Sequence, residues 1–195
     1  MKKAEEKALL RRVLRQLEQA ETPAARAESS RRITAHLLAM PAYRDAGTVF
    51  CFVGTAQEPD TTDILRDALA RGKRLCVPAC VGKGIMELRQ ITSLEQLTPG
   101  FYGIPEPPQG SPRVDADAVD LAVLPCLGCS RSGHRLGRGG GYYDRFLAHY
   151  RGGAVVLCRE RMLREDIPRE PHDYPVPWVL TERGLWEDGM PARLG

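Results

Sequence analysis

The chain has 195 residues, 43% of them hydrophobic, and this length and composition predict one domain with a sizeable core. Its 28 basic and 25 acidic side chains give a net charge of +3, which is too small for a general nucleic-acid or membrane binder. No apolar run approaches the roughly 20 residues that a membrane span needs, and the charged N-terminal segment lacks the apolar stretch of a signal peptide. We therefore expect a cytoplasmic protein of a single domain, residues 1–195.

The predicted elements alternate between helix and strand. Apolar residues at 3.6-residue spacing favour a helix over residues 3–20, and Thr22 followed by Pro23 indicates the start of a second helix that ends near Met40. Residues 48–53 form a continuous β-prone run, which is typical of a buried strand. The later predictions are a helix at 61–72 capped by Thr61 or Thr62, strands at 74–79, 85–91 and 119–126, a loop at 98–114, a helix at 142–150, a strand at 154–158, a loop at 168–177 and a last strand at 178–182.

This order of elements predicts an α/β fold. Strands that alternate with helices form a mainly parallel sheet with helices on both faces. In such sheets, ligands bind beyond the carboxyl ends of the strands. The segments that follow the strands at 48–53 and 119–126 are therefore the first places to look for a site.

Residues 135–147, RLGRGGGYYDRFL, directly follow one of these predicted strands and lead into a helix. Their glycines allow backbone N–H groups to approach an anion, and the helix directs its positive N-terminal end into the same loop. Arg135 and Arg138 add forked donors suited to phosphate, and Asp144 is placed to hold a Mg²⁺ that bridges phosphates. The loop matches neither G-x-x-x-x-G-K-[ST] nor G-x-G-x-x-G, so a flexible surface turn is the alternative. The glycines are Gly137, Gly139, Gly140 and Gly141.

Other candidate residues have plain alternatives. A basic stripe on the first helix, defined by Lys3, Lys7, Arg11 and Arg15, is equally typical of a solvated face. Glu58 lies in the loop after a predicted buried strand, where a carboxylate is well placed for a site or is an ordinary loop residue. Asp173 and its neighbour His172 lie in a similar loop.

Six cysteines are present, and four of them lie in or beside apolar runs, where a free thiol behaves as a small hydrophobe. Cys126 and Cys129 form a C-x-x-C, and Cys76 and Cys80 form a C-x-x-x-C. The two pairs could together hold zinc, but structural sites usually use two tight pairs on turns, and the second pair lies at a strand end. We predict no zinc site from this spacing.

Taken in order, these segments resemble one family, the 5-formyltetrahydrofolate cyclo-ligases, also called methenyltetrahydrofolate synthetases. The resemblance covers nearly the whole chain and is strongest at GHRLGRGGGYYDRFL, the family signature. It extends to KALLR at residues 7–11, EPDT at 58–61 and PREPHDYPV at 168–176. Cys129 and Ser130 depart from it, because the family usually has Phe and Asp there, and this puts the packing between strand and loop in doubt.

The resemblance implies a Rossmann-like three-layer α/β/α fold with the N-terminal helices packed on the sheet. It also implies the ATP- and Mg²⁺-dependent conversion of 5-formyltetrahydrofolate to 5,10-methenyltetrahydrofolate, with release of ADP and phosphate through a phosphorylated formyl intermediate. The expected partner is the folate, with or without a polyglutamate tail, and the expected state is a monomer that binds no nucleic acid or membrane.

By resemblance, Glu58, Arg138 and Tyr142 are catalytic, and Asp144 and Asp173 are the Mg²⁺ ligands. Val53, Glu58 and residues 138–142 contact the folate, and Met86 contacts its pterin. The implied ATP-binding residues are Lys7, Arg11, Arg135, Leu136, Gly137, Arg138, Gly139, Gly140, Gly141, Tyr142 and Tyr143.

Two rival hypotheses use the same sequence differently. A sugar-phosphate isomerase of similar architecture would need neither ATP nor the basic first helix. A non-catalytic anion- or nucleic-acid-binding module would need a broader basic surface with exposed aromatic residues, and the small net charge disfavours it.

Overall fold

The predicted alternation of helices and strands is present in the computed structural model, which describes residues 2–100 and 103–194. Its helices are α1 (Lys3–Gln19), α2 (Pro23–Ala39), α3 (Pro41–Asp45), α4 (Thr62–Ala70) and α5 (Tyr142–His149). Its strands are β1 (Thr48–Cys51), β2 (Arg74–Gly82), β3 (Ile85–Ile91), β4 (Thr98–Pro99), β5 (Pro105–Glu106), β6 (Arg113–Val114), β7 (Leu121–Leu124), β8 (Gly128–Ser130), β9 (Arg135–Leu136), β10 (Gly153–Leu157), β11 (Leu163–Arg164), β12 (Trp178–Thr181), β13 (Gly184–Glu187) and β14 (Met190–Ala192).

The main sheet has nine strands in the order β14-β13-β12-β10-β7-β1-β2-β3-β6. The central strands β12, β10, β7, β1 and β2 are parallel to one another. The strands outside them pair in the antiparallel sense. The predicted α/β fold with a mainly parallel sheet is confirmed.

Helices cover both faces of this sheet because successive residues of a buried strand point in opposite directions. In β1, Phe50 packs in the core that includes residues of α1 and α5. Its neighbours Val49 and Cys51 pack in the second core, which includes residues of α2, α3 and α4. The resulting helix–sheet–helix layers are the three-layer arrangement that the family resemblance implied, with the two N-terminal helices on opposite faces.

The N-termini of α2 and α4 are built differently from each other. The Thr22 hydroxyl accepts a hydrogen bond from Ala25 N at 3.2 Å, so Thr22 caps α2 as predicted. Thr61 precedes α4 but makes no side-chain cap. Its hydroxyl instead donates to Phe52 O at 2.9 Å and accepts from Gly54 N at 3.0 Å. Thr61 therefore fixes the loop between β1 and α4 rather than the helix end.

Two sequence predictions about strands were wrong. Residues 98–114 are not all loop, because β4 pairs with β5 and β6 extends the sheet beside β3. The strand at 178–182 is not the last, because β13 and β14 follow it as an antiparallel extension. Strands β4, β5 and β6 have two residues each, and β13 and β14 lack a continuous apolar run, so neither pattern that reveals a strand is present. No helix in the described ranges is long and apolar enough to cross a membrane.

The strand order creates a switch point between β1 and β7. These strands are parallel neighbours, and the chain continues from β1 to β2 on one side and from β7 to β10 on the other. A crevice opens beyond the carboxyl ends of two strands whose connections diverge in this way. The loop with Glu58 follows β1, and the segment that carries the glycine loop follows β7.

Candidate active site

The glycine loop, residues 137–141, connects β9 to α5. Strand β9 is held by β8 in a small three-stranded sheet, where Cys129 is paired with Arg135. Gly139 and Gly141 have φ angles of 107° and 70°, which L side chains rarely adopt. Gly141 is the N-cap of α5, so the free N–H groups of the first helical turn face the loop. This geometry is that of an anion-binding turn.

Arg138 links the glycine loop to two carboxylates from other parts of the chain. Its Nη2 lies 2.7 Å from Glu18 Oε1 on α1, and its Nε lies 3.4 Å from Glu58 Oε1. Burial alone would lower the pKa of Arg138, but the hydrogen bond to Glu18 and the charges of Glu58 and Glu18 raise it. The predicted pair Glu58 and Arg138 is therefore in direct contact, and Glu18 joins it without having been predicted.

Glu58 is oriented by its own loop and by Arg159. Thr55 N donates to Glu58 Oε2 at 3.0 Å, and the carboxylate side chain is only 9% exposed. Arg159, which follows β10, is buried and donates to the backbone carbonyls of Glu58, at 2.9 Å, and Gln57. Sequence reasoning missed Arg159, because a single arginine after a strand carries no motif.

Two members of the predicted basic stripe reach the site from α1. Lys7 Nζ lies 2.6 Å from both Glu170 Oε2 and Asp173 Oδ2, and Arg11 Nε donates to Gly137 O at 2.9 Å. Lys3 instead forms an exposed pair with Glu6 on the same helix. The stripe is thus divided between contacts to the site and ordinary surface.

The pKa values of Lys7 and Asp173 reflect their contact. Burial alone would lower the pKa of Lys7, but its bonds to Asp173 and Glu170 raise it above the usual value. Burial alone would raise the pKa of Asp173, but the hydrogen bonds from Lys7 and Glu170 N hold it below the usual value. Both groups are therefore firmly charged near neutral pH.

The second predicted metal ligand, Asp144, is paired with Arg135. Arg135 Nη2 lies 2.7 Å from Asp144 Oδ1, and the arginine side chain is only 3% exposed. The guanidinium also lies over the Tyr143 ring at 5.6 Å, and its Nε has no hydrogen-bond partner among residues 2–100 and 103–194. A buried donor without a partner is costly, so this nitrogen marks a place where an anion would be stabilised.

Carboxylate oxygens suit Mg²⁺, which is commonly held by one or two carboxylates together with phosphate oxygens. Asp144 and Asp173 offer such oxygens, and each already contacts a cation that the resemblance assigned to ATP. Within the described residues, neither aspartate belongs to a cluster of three metal-ligating side chains. The donor set fits an ion shared with phosphates and not a site made of protein ligands alone.

The remaining predicted residues have different surroundings, and only some of them support the glycine loop. Tyr142 Oη lies 3.5 Å from Gly82 O, and its ring sits so close to Gly140 that a side chain there would collide with it. Val53 and Met86 are half-buried, each packed against one of the two cores. Leu136 is buried in the core, so its side chain anchors the loop.

Arg145 is a further supporting residue that the sequence did not reveal. Its Nη1 donates to Gly84 O at 3.0 Å and to Gly140 O at 3.1 Å. It therefore connects the turn between β2 and β3 to the glycine loop. The side chain lies one helical turn after Gly141, and that spacing was the only available signal.

The cysteines that lie together in the structure are not the two pairs that their spacing in the sequence suggested. Cys126 and Cys129 meet Cys158, which follows β10, and not Cys76 or Cys80 in β2. Cys129 and Ser130 form the buried strand β8, so the packing between strand and loop that the departure put in doubt is intact.

The family model for the 5-formyltetrahydrofolate cyclo-ligase family matches residues 3–182, a range that includes every predicted site residue. The 5-formyltetrahydrofolate cyclo-ligase of Mycolicibacterium smegmatis is 35% identical over 148 residues, which cover 71% of this chain and 75% of that protein. The protein of the same name from Escherichia coli K12 is 28% identical over 181 residues, which cover 90% of this chain and 100% of that protein.

Solved structures agree with these matches. The NMR structure of Aquifex aeolicus 5,10-methenyltetrahydrofolate synthetase is similar with a TM-score of 0.84 and 27% identity, covering 97% of this chain and 96% of that one. A 5,10-methenyltetrahydrofolate synthetase from Mycoplasma pneumoniae has a TM-score of 0.74 at 16% identity and covers 90% of this chain and 98% of that one, a likeness of fold.

Proposed function

Because this chain belongs to the 5-formyltetrahydrofolate cyclo-ligase family, we propose that it uses ATP and Mg²⁺ to convert 5-formyltetrahydrofolate to 5,10-methenyltetrahydrofolate. Membership makes it a ligase of folate one-carbon metabolism. The use of ATP and Mg²⁺, the intermediate and the residue roles are the proposed part.

The observation that carries the proposal is the contact between Glu58 and Arg138. These residues come from the loop after β1 and from the glycine loop, and they meet at the switch point of the sheet. The glycine loop, which we propose binds phosphate, and an oriented carboxylate are thus side by side. Joining a phosphoryl donor to a formyl acceptor requires this proximity.

The proposed reaction has two steps. The formyl oxygen attacks the γ-phosphorus, forming an O–P bond while the bond between the β- and γ-phosphates breaks and ADP leaves. N10 of the folate then attacks the formyl carbon, the carbon–oxygen bond breaks, and inorganic phosphate leaves as N10 loses its proton. Glu58 is placed to orient the formyl group or to receive that proton.

The basic side chains bind and orient the phosphates. Arg138 and Arg135 carry forked donors beside the turn, Arg11 reaches it from α1, and Lys7 extends from α1 to the loop that contains Asp173. Lys7 and Arg135 are each balanced by an aspartate in the structure. Binding of a phosphate group would replace or share these pairings, so the site needs little rearrangement to accept a polyanion.

Asp144 and Asp173 would hold the Mg²⁺, which supplies neutralisation of the charge on the transferring phosphoryl group. In this proposal Val53 and Tyr142 contact the folate, and Met86 contacts its pterin. We further propose that the enzyme acts as a monomer on this small substrate, with or without a polyglutamate tail.

The test is the appearance of the methenyl absorbance when purified protein is mixed with 5-formyltetrahydrofolate, ATP and Mg²⁺. We expect the absorbance to require all three, with one ADP formed per methenyl group. Neither a sugar-phosphate isomerase nor a non-catalytic binding module would produce the ATP-dependent methenyl absorbance. Absence of the chromophore with folded protein would refute the proposal.

A further inference from the structure

Three cysteines from two separate segments meet beneath the site. Cys126 and Cys129 lie on either side of the start of β8, and Cys158 directly follows β10. Their sulfur atoms all lie within 4.8 Å of one another, and the residues are 7%, 0% and 2% exposed. Within the described ranges, this is the only group of three or more metal-ligating side chains.

We propose that these three thiols bind one thiophilic metal ion, for which Zn²⁺ is the probe. Zn–S bonds are about 2.3 Å long, so sulfurs that share a tetrahedral zinc ion are about 3.8 Å apart. Because the sulfur atoms all lie within 4.8 Å of one another, each pair would have to approach by about an ångström or less to bind the ion. Rotation of the thiol side chains covers such a change without movement of the strands.

A small cavity adjoins two of the three cysteines. A cavity of about 10 Å³ is lined by Cys126, Cys158, Glu58 and Arg159. This volume corresponds to about one water molecule. A water molecule held there would complete the tetrahedral coordination of the ion.

The charge of the surroundings suits a cluster of thiolates. A bound cation would displace the three thiol protons into solvent as it forms three metal–sulfur bonds. Arg135 and buried Arg159 offset the remaining negative charge.

If these cysteines served only as small apolar side chains in the core, their sulfur atoms would have no reason to lie together. Cys51 and Cys76 are also fully buried, yet neither belongs to the group. Two of the clustered thiols make long backbone contacts, because Cys126 donates to Leu157 O at 3.5 Å and Cys158 donates to Arg159 O at 3.4 Å. Metal–sulfur bonds would be stronger replacements.

The direct test is metal titration of the full chain. Protein is stripped with a chelator under a phosphine reductant, then titrated with Co²⁺ and with Zn²⁺. We expect one ion per chain, a thiolate-to-cobalt charge-transfer band and displacement of cobalt by zinc. Cys126→Ala and Cys158→Ala should weaken binding by more than about 100-fold, because changes merely outside the ligand shell already cost 10–100-fold. Cys76→Ala is the matched control, since it removes a buried thiol outside the cluster.

A second measurement uses the wild-type chain, so it does not depend on folding of the variants. Zn²⁺ should protect Cys126, Cys129 and Cys158 from alkylation under mild denaturant, as located by mass spectrometry. Half-buried Cys80 should stay reactive. The proposal is overturned if the wild type shows no charge-transfer band, if Cys76→Ala loses as much affinity as Cys126→Ala, or if zinc protects no thiol. A disulfide within the cluster that persists under reductant would also overturn it.

Discussion

At the scale of the residue, Glu58 combines a fixed orientation with a contact to the glycine loop. Its carboxylate accepts from Thr55 N and faces Arg138, and Arg159 holds its backbone. We predict that Glu58→Gln lowers kcat by about 10²–10⁴-fold, the usual range for a positioned acid–base group. The amide keeps the size and one acceptor but loses charge and basicity, so folate binding should remain. Single-turnover formation of the methenyl group, beside calorimetry with 5-formyltetrahydrofolate, measures both.

Glu95→Gln is the matched control for this variant. Glu95 is an exposed glutamate outside the site, and its change should leave turnover and thermal unfolding unaltered. If Glu58→Gln turns over within a few-fold of wild type, or loses activity only because it no longer folds, Glu58 is an ordinary loop residue.

Asp144 has a structural contact that the sequence did not reveal, and this changes what its removal should do. Asp144→Asn leaves the buried Arg135 guanidinium without its carboxylate. We expect a loss of about 1.5–3 kcal/mol in the free energy of unfolding, the range for hydrogen bonds to charged groups. Urea unfolding measures this loss, and excess Mg²⁺ should restore part of the turnover but none of the stability. If the variant has unchanged stability and the same dependence of rate on Mg²⁺, Asp144 neither stabilises Arg135 nor binds Mg²⁺.

At the scale of the element, α1 belongs to the site because Lys7 and Arg11 extend from it to loops distant in sequence. We predict that Lys7→Ala raises the KM for ATP by about 10- to 100-fold, which corresponds to 1.5–3 kcal/mol for one charge-assisted bond. The KM for the folate should change little. Arg12→Ala is the control, because Arg12 is an exposed cation of the same helix. Steady-state kinetics with each substrate varied in turn measures the KM for ATP and the KM for the folate separately. Equal effects of Lys7→Ala and Arg12→Ala would assign the basic stripe to the solvated surface.

The ion pair between Lys7 on α1 and Asp173 should also make the free energy of unfolding depend on pH. The pKa of Asp173 is lowered by the fold, so its contribution is fully present above the ordinary aspartate value of about 3.9. It is lost as the pH falls through the lowered value. Asp173→Asn should therefore show a smaller loss of unfolding free energy than wild type between about pH 5 and pH 3. Urea titrations across this range measure the slope, with exposed Asp63→Asn as control. Identical slopes for wild type and Asp173→Asn would contradict the prediction.

At the scale of the whole molecule, the sequence predicted those features that repeat or cluster locally. Apolar strand runs and helical periodicity revealed the α/β fold, and the glycine loop indicated one end of the candidate site. Contacts that depend on tertiary structure were not accessible. Glu18 meets Arg138, Arg159 holds the Glu58 loop, and Cys158 joins Cys126 only because β7 and β10 are neighbours. Periodicity reports which face of an element is buried, but it does not report which distant side chain lies against that face.

The convergence of four separate segments predicts a cooperative response to nucleotide. The glycine loop, α1, the loop that contains Glu58 and the loop that contains Asp173 are linked by Arg138, Arg11 and Lys7. A phosphate group that contacts these side chains binds only when all four segments are in place. Its binding free energy therefore stabilises the four segments together against local opening. We therefore expect Mg²⁺–ATP to slow amide hydrogen exchange at residues 137–141, in α1 and at residues 170–173, with no comparable change in α4 on the opposite face. Arg138→Ala should abolish the slowing in α1 and at residues 170–173 as well as in the glycine loop. Slowing that stays confined to the glycine loop in the wild type would show that α1 is not part of the nucleotide site.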